Sequence, residues 1–413
     1  MSAMPLQGLR VLDLSKVLAG PLCAQYLGDM GADVIKVETL VDGDETRGWP
    51  PFRADVAAPD GGSASAAAAP EKAGTIFLAA NRNKRSLALD LRSPDGLAIV
   101  RRLAERSDVV IESFGPGVAA RLGVDAASLR ALNPRLVCCS ISGFGSVGPL
   151  RDGKGYDVIL QAFCGMLSIT GEPDGPPVRS PFSPVDQATG LHALIGILAA
   201  LLERSRTGVG STVEAALFDS ATGFLGYFLQ GYWERGTEPQ RPGSGHESLC
   251  PYEAFDTADK PLILGVANDT LWRAFCKVAD LQEVVDDERF RTNAARVAHR
   301  QETVALVREA LARRGRDDWI RELAAVGIPC SPLHSLGELS AHPHTRASGM
   351  VFDYDDARRG RLQGVAQPVR FDGQRPALRR PPPAHGEHGR EILSEAGLSA
   401  QEIERLVAGK VVK

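Results

Sequence analysis

The sequence predicts an α/β protein whose larger domain is built on a mostly parallel, Rossmann-like sheet. Short apolar segments alternate with longer helical ones through the first half of the chain, which is typical of βαβ units. Arg10–Leu14 predicts the first strand, and Pro21 opens a helix that ends before Gly31. Asp33–Val37 predicts a second strand. Because two parallel strands need a crossover connection, this unit indicates a parallel sheet.

The same alternation continues for most of the chain. Ser93 and Pro94 form a good N-cap and first-turn pair, so they predict a helix that ends near Arg106. The other predicted strands are 87–91, 108–112, 136–142, 211–215 and 261–266. The other predicted helices lie around 121 and at 125–132, 191–202, 217–234, 270–279 and 301–314, with two more after the extended, Pro-rich arm 375–383.

A change in character after residue 225 predicts two domains. Residues 1–225 form the large α/β domain, 226–330 a smaller α+β domain, and 331–413 return to complete the large one. Within the large domain, residues 52–74 are rich in Ala, Gly, Pro and Ser, which predicts a mobile insertion. The aromatic face of the helix 217–234 predicts a core or a subunit contact.

Composition excludes several classes of function. With 413 residues, 44% hydrophobic and 24% charged, the chain has the composition of a soluble globular protein. Its net charge of −4 gives no reason to expect nucleic acid or an anionic membrane as partner. No signal peptide is visible, and seven cysteines without C-x-x-C spacing argue against disulfides or zinc. We therefore expect a cytoplasmic protein.

The familiar catalytic motifs are missing. The loop 15–21 carries one glycine instead of G-x-G-x-x-G, so a bound dinucleotide is not expected. The chain also lacks a P-loop, G-x-S-x-G, H-E-x-x-H and a Cys/His cluster with metal spacing. We therefore expect no metal site and no permanently bound cofactor.

Asp186 is the most informative polar residue. It follows two prolines and precedes the most apolar helix of the chain, at a helix entrance that we expect to be buried. One interpretation is an N-cap. The other is a carboxylate that the helix dipole keeps ionised and that points at a ligand.

Nine short motifs, taken in order, resemble one known group of enzymes. They are 17–21 (VLAGP), 31–38 (GADVIKVE), 46–49 (TRGW), 83–86 (NKRS), 112–117 (ESFGPG), 155–157 (GYD), 170–177 (TGEPDGPP), 185–186 (VD) and 189–190 (TG). The chain resembles the family III CoA-transferases, which include formyl-CoA:oxalate and carnitine CoA-transferases and share their fold with the α-methylacyl-CoA racemases. This resemblance covers nearly the whole chain.

The resemblance implies that Asp186 is a nucleophile. A carboxylate is normally ionised at neutral pH, so it can attack a thioester without a general base. The implied intermediates are an anhydride and then an aspartyl-CoA thioester, and both must be kept from water. Gly243 and Gly245 match a glycine-rich loop that covers the site in relatives; the alternative is a plain inter-domain turn.

The resemblance also implies binding residues. The CoA contacts would be Val17, Leu18, Ala19, Leu89, Phe114, Arg121 and Lys154. Trp49, Tyr156 and Asp157 would line the acyl pocket, and Arg47 would meet an acceptor carboxylate. Two positions differ from the oxalate enzyme: Leu18 replaces Gln, which argues against oxalate, and Thr39 replaces Arg, which weakens one CoA contact.

Three functions remain open at this stage. CoA transfer between carboxylic acids, with a dicarboxylate such as succinate on one side, is favoured. A racemase would need a His where Tyr156 stands, and a phenol with a pKa of ~10 suits proton exchange poorly. A non-catalytic acyl-CoA-binding protein is the third. Relatives form interlocked dimers, so the resemblance implies a homodimer.

Overall fold

A computed structural model describes residues 4–52 and 73–413, and its sheet confirms the predicted parallel architecture. Six strands pair in the order β3-β2-β1-β4-β5-β6, and every pair is parallel. This order is that of a doubly wound Rossmann-like sheet. The strands are β1 (Arg10–Leu14), β2 (Asp33–Thr39), β3 (Lys84–Leu89), β4 (Val109–Glu112), β5 (Val137–Ser142) and β6 (Thr212–Ala216).

The helices that connect the strands lie close to their predicted positions. Ser93 caps its helix as predicted, because its hydroxyl accepts the backbone N–H of Gly96 at 2.9 Å. In the first half of the chain the helices are α1 (Ala19–Asp29), α2 (Thr75–Ala80), α3 (Pro94–Ala104), α4 (Val118–Leu122), α5 (Ala126–Leu132) and α6 (Asp157–Phe163). They are followed by α7 (Pro184–Thr207), α8 (Leu217–Phe224) and α9 (Gly226–Arg235).

Helix α7 is the central helix of the larger unit and packs directly on α1. The two helices approach so closely at Gly190 that a Cβ there would lie 2.6 Å from the carbonyl oxygen of Ala19. Among the described helices, α7 alone is long and apolar enough to cross a membrane, but half of its most apolar window is buried in the protein. A core helix has the same property, and this one is longer than the apolar run 191–202.

The chain divides into two compact units. The larger comprises Met1–Cys164, Ser180–Leu229 and His344–Lys413, and the smaller comprises Gly165–Arg179 and Gln230–Pro343. The smaller unit therefore extends beyond residue 330 and includes a segment that we predicted to lie in the large domain.

The smaller unit is built on an antiparallel sheet and a separate core around Trp272, Phe275 and Trp319. Its strands are β7 (Tyr252–Phe255), β8 (Leu262–Gly265) and β9 (Cys330–Pro332). Its helices are α10 (Asp269–Val278), α11 (Asn293–Ala298), α12 (Arg300–Leu311), α13 (Arg316–Ala325) and α14 (Leu336–Ala341).

From His344 onward the C-terminal segment belongs to the larger unit. After α15 (Pro343–Ala347) it forms the hairpin β10 (Val351–Asp356) and β11 (Gly360–Val365), and it ends in α16 (Gly389–Glu395) and α17 (Ala400–Ala408).

The prediction of a single helix over 217–234 is wrong, because the helix breaks at Leu225 into α8 and α9. The mobile insertion 52–74 lies, apart from its ends, outside the described residues.

Candidate active site

A cavity of about 750 Å³ opens at the carboxyl ends of the central strands. The sheet order reverses between β1 and β4, and ligands of doubly wound proteins bind at such a point. The loops that follow these two strands line the cavity, as does the loop after β5. Asp186 also lines it, at the start of α7.

Asp186 is not the N-cap of α7, so that interpretation is wrong. The cap position belongs to Ser183, whose side chain makes no cap hydrogen bond, and Pro184 begins the helix. The first two amides that need a partner are those of Val185 and Asp186. Both donate to Oδ2 of Asp157, at 2.8 and 3.1 Å. The side chain of Asp186 is thereby left available to the cavity.

The pKa of Asp186 is raised from its usual value to about 7. Burial is the larger cause, and the neighbouring charge of Asp157 adds to it. This corrects the expectation that the helix entrance keeps this carboxylate ionised, since Asp157 takes the amides that would have stabilised the charge. Near neutral pH, Asp186 is therefore present in both protonation states.

The loop between β1 and α1 also lines the cavity. Val17 has a left-handed backbone, φ 70°, which is rare for a β-branched residue. Ser15, two residues earlier in the loop, is held in place because its carbonyl oxygen accepts from Nζ of Lys36 at 3.1 Å. Val17, Leu18 and Ala19 all line the cavity, and their contact with CoA stays a prediction.

A layer of buried charges supports this loop. Lys84 binds Asp13 at 2.9 Å, and Lys36 binds Asp44 at 2.9 Å, with all four side chains at most 1% exposed. Burial favours the neutral acid, but Lys84 and Lys36 lower the pKa of Asp13 overall. Since breaking a buried pair leaves an uncompensated charge, this layer holds the loop in one arrangement.

The other predicted CoA contacts divide into two groups. Phe114 and Lys154 line the cavity. Leu89 and Arg121 are not among its lining residues: Leu89 is fully buried and bridges to Val412, whereas Arg121 is exposed on α4. Direct contact of CoA with these two residues therefore gains no support from the geometry.

The predicted acyl-pocket residues are also divided. Tyr156 lines the cavity and is 55% exposed, whereas Asp157 is buried beneath α7. Trp49 and Arg47 are not lining residues, and Arg47 is buried in an ion pair with Glu38. This pairing argues against the predicted contact between Arg47 and an acceptor carboxylate. Gly243 and Gly245 belong to the smaller unit, so their role as a cover stays a prediction.

Six ionisable lining residues were not proposed as site residues by the sequence analysis, and Lys16 and Glu112 are two of them. Lys16 binds Glu45 at 2.7 Å, and this hydrogen bond raises the pKa of its ammonium group. Glu112 accepts from the backbone N–H of Phe114 at 2.8 Å, and burial raises the pKa of its carboxyl group. Their positions in the sequence were the available signal. Lys16 lies two residues after the end of β1, and Glu112 is the last residue of β4.

Comparisons with known proteins agree with this geometry. A family model described as CoA-transferase family III matches residues 6–389. Succinate–glutarate CoA-transferase of Agrobacterium fabrum is 41% identical over 392 residues, covering 95% of each chain. Succinyl-CoA:glutarate CoA-transferase of Mus musculus is 36% identical over 415 residues, covering 100% of this chain and 91% of the relative.

A solved crystal structure resembles this chain along nearly the whole length of both. The crystal structure of a CAIB/BAIF family protein from Brucella suis has a TM-score of 0.82 and 38% sequence identity to this chain. The match covers 96% of this chain and 100% of that one.

Proposed function

Since the chain belongs to the family III CoA-transferases, we propose that it transfers CoA to a dicarboxylic acid through covalent intermediates on Asp186. CoA-transferase activity itself follows from the family and from relatives at up to 41% identity over 95% of the chain. The acceptor class and the nucleophile are the proposal. The relatives just described are named for succinate and glutarate, which are both dicarboxylic acids.

The position of Asp186 is the observation that carries the nucleophile. Its carboxyl group lines a cavity at the point where the sheet order reverses. Among the described residues, no hydrogen bond to this side chain is found, although its own backbone N–H is bound by Asp157. A raised pKa makes the ionised carboxylate a stronger nucleophile than an ordinary aspartate. These properties suit attack on a thioester.

The reaction would proceed in four substitutions. An Oδ of Asp186 attacks the acyl carbonyl carbon, the C–S bond breaks, and CoA leaves as a thiolate with the electron pair. The thiolate attacks the aspartyl carbonyl, which releases the first acid as a carboxylate. The acceptor carboxylate then displaces the thiolate, and the thiolate returns to the new acyl group and frees Asp186. No oxidant and no cofactor beyond CoA is needed.

The cavity suits CoA in size and charge. Its volume of about 750 Å³ falls within the range of ligand sites of ~300–1,000 Å³. Arg151 and Lys154 lie on the loop after β5 and line the cavity, and basic side chains of this kind pair with phosphate. We infer that these two residues meet the phosphates, while the 17–19 backbone contacts the part of CoA nearer the thioester.

The remaining basic residue of the cavity offers a binding group for the acceptor. Arg47 is committed to Glu38, so it does not serve this purpose in the observed arrangement. The ammonium group of Lys16 stands at the cavity wall beside Val17, and its side chain is 60% exposed. A carboxylate of the substrate could take the place of Glu45 as the ion-pair partner of Lys16. We infer that Lys16 binds the distal carboxylate of the acceptor.

Homodimerisation is a further part of the proposal. Large apolar side chains are exposed on α6 to α9 and on the segment just before α7: Ile159, Phe163, Phe182, Leu191, Ile195, Phe224 and Tyr227. Exposed apolar surface of this extent is typical of a protein–protein interface.

All seven cysteines are free, which fits a reducing compartment such as the cytoplasm.

Chemical trapping tests the nucleophile. Succinyl-CoA is added to the wild type, followed by hydroxylamine, and the protein is digested for mass spectrometry. We expect a hydroxamate on the peptide that contains Asp186, and no modification in Asp186→Asn. Labelling at another residue would refute the assignment. Exchange of the α-hydrogen of a methyl-branched acyl-CoA with deuterium, without labelling, would identify a racemase.

A further inference from the structure

The entrance of α7 lacks a capping side chain of its own. A helix normally obtains the acceptor for its N2 and N3 amides from the N-cap side chain. Here Ser183 has a left-handed backbone, φ 52°, and its hydroxyl makes no cap hydrogen bond. Pro184 has no N–H, so Val185 and Asp186 carry the two amides that need an acceptor.

Asp157 supplies that acceptor from a different helix. It is the first residue of α6, and its side chain is buried, 6% exposed. One oxygen, Oδ2, accepts from both Val185 and Asp186, at 2.8 and 3.1 Å. The other, Oδ1, accepts from the amide of Gln161. All of these partners are donors, which matches the acceptor-only character of an ionised carboxylate.

Gln161 holds Asp157 in turn. It is 1% exposed and exchanges two hydrogen bonds with the backbone of Ser180, which approaches α7 from the N-terminal side. The distances are 2.9 Å from the Ser180 N–H to Oε1 and 3.2 Å from Nε2 to the Ser180 carbonyl oxygen. The position of Asp157 is therefore determined on both sides, and so is the first turn of α7.

We propose that Asp157 is a positioning residue of the transfer reaction: it anchors the first turn of α7 and, by its charge, destabilises the free Asp186 carboxylate relative to the acylated forms. This inference rests on the proposed role of Asp186 as nucleophile. Asp157 itself touches neither the substrate nor the reacting atoms in this account, because it is buried beneath the helix and is not a lining residue of the cavity.

The charge argument follows from the bonds that form and break. When an Oδ of Asp186 bonds to the acyl carbon, its negative charge leaves with the CoA thiolate. The anhydride and the aspartyl-CoA thioester are both neutral at Asp186, so the repulsion by Asp157 is present in the free enzyme and absent in both intermediates. A carboxylate close to another one is also more basic. The pair therefore favours acylation.

Asp157 is one of several ionisable groups near Asp186 and its cavity. Burial and Asp157 are the two causes that raise the pKa of Asp186. The other ionisable residues that line the cavity are Lys16, Glu112, Asp125, Arg151, Asp152, Lys154, Tyr156 and Glu214. Helix α8, which packs on α7, adds Asp219 in its first turn.

The test compares three variants in single-turnover labelling by succinyl-CoA at pH values from about 5 to 9. Asp157→Asn keeps an acceptor oxygen for the α7 amides but removes the charge, so the midpoint of the pH profile should fall by about one unit. Asp157→Glu keeps the charge but displaces the oxygens, so labelling should slow about tenfold with an unchanged midpoint. Ser399→Ala removes an ordinary helix cap of α17 and serves as the matched stability control.

The outcomes separate this inference from the proposed function. A lower midpoint in Asp157→Asn, with Ser399→Ala like the wild type, supports it. If Asp157→Asn does not fold, slow labelling of Asp157→Glu with the wild-type midpoint supports it instead. If the wild type is labelled on Asp186 and these Asp157 variants label as it does, the inference about Asp157 is overturned alone. A wild type that is never labelled overturns the nucleophile and this inference together.

Discussion

Arg47 and Glu38 form a bidentate ion pair in which Nε meets Oε2 at 2.7 Å and Nη2 meets Oε1 at 2.8 Å. The guanidinium group also donates to the carbonyl oxygen of Pro383 and lies 3.7 Å from the centroid of the Phe77 ring. Burial alone would favour the neutral acid, but Arg47 lowers the pKa of Glu38 to about 2. The pair therefore links the end of β2 to the C-terminal arm.

Replacing Arg47 should reduce stability and leave substrate recognition intact. Arg47→Met leaves Glu38 buried without its principal partner, which costs about 3–5 kcal/mol in the free energy of unfolding. Urea denaturation measures this loss, and steady-state kinetics should show an acceptor KM close to that of the wild type. Arg92→Met, at an arginine whose side chain is 88% exposed, is the control and should change little. A raised KM with normal stability would restore the acceptor-binding role.

Lys16 should determine the preference for dicarboxylic acceptors. In Lys16→Gln, we expect the KM for succinate to rise about fivefold, because an exposed charge-assisted contact contributes on the order of 1 kcal/mol. The KM for butyrate, which has the same length and only one carboxylate, should stay unchanged. Initial rates with both acids measure the ratio, and Lys277→Gln, on the exposed surface of α10, is the control. An equal effect on both acids would contradict the assignment.

The rate of acylation should rise with pH through about 7. The pKa of Asp186 is raised to about 7, and only the ionised carboxylate attacks the thioester. Below this pH the protonated acid predominates, so kcat/KM should fall about tenfold per pH unit and should level off above it. Measuring kcat/KM for succinyl-CoA across the range, with stability checked at each pH, gives the midpoint. A profile that is flat from pH 5 to 8, to within about twofold, would contradict a raised pKa.

Replacing Asp186 should have an effect on stability that depends on pH. Its pKa is higher in the folded state than the ordinary value of 3.8, so the folded form binds more protons between these values. Stability from this group is therefore present at low pH and is lost as the pH rises toward 7. Asp186→Asn does not titrate, so relative to the wild type it should gain up to a few kcal/mol between about pH 4 and pH 8. Thermal unfolding of both proteins at the two pH values tests this; a constant difference would contradict it.

Much of the sheet was predictable from local pattern. The apolar segments gave β1 with its observed bounds and the other strands of the larger sheet to within a few residues, because buried parallel strands are short and nearly continuously apolar. The antiparallel strand β7 was missed, since Tyr252–Phe255 is only four residues long and carries a charged residue. The break at Leu225 between α8 and α9 has no Pro to mark it.

The site was predictable only in part, because partners distant in sequence determine it. The match at Asp186 identified a candidate nucleophile, but the hydrogen bonds from the start of α7 to Asp157 depend on packing between α6 and α7. Nothing in the motif 46–49 indicates that Arg47 is buried. It was therefore predicted to bind the substrate, whereas in the structure it pairs with Glu38. Lys16 was overlooked because a single lysine after a strand is common.

The C-terminal helices of the larger unit have a consequence for biosynthesis. Ile392, Leu393, Leu406 and Val412 share one core with residues of β1 to β3, and the backbone N–H of Asp90 donates to Val411 at 2.9 Å. All residues of the smaller unit are translated before this segment. We expect the smaller unit to be able to fold before this segment leaves the ribosome, and the larger one to complete its core only after the segment has emerged. Ribosome stalling before α16 and α17 are translated should therefore leave a chain whose larger core is incomplete and whose apolar residues stay exposed to chaperones.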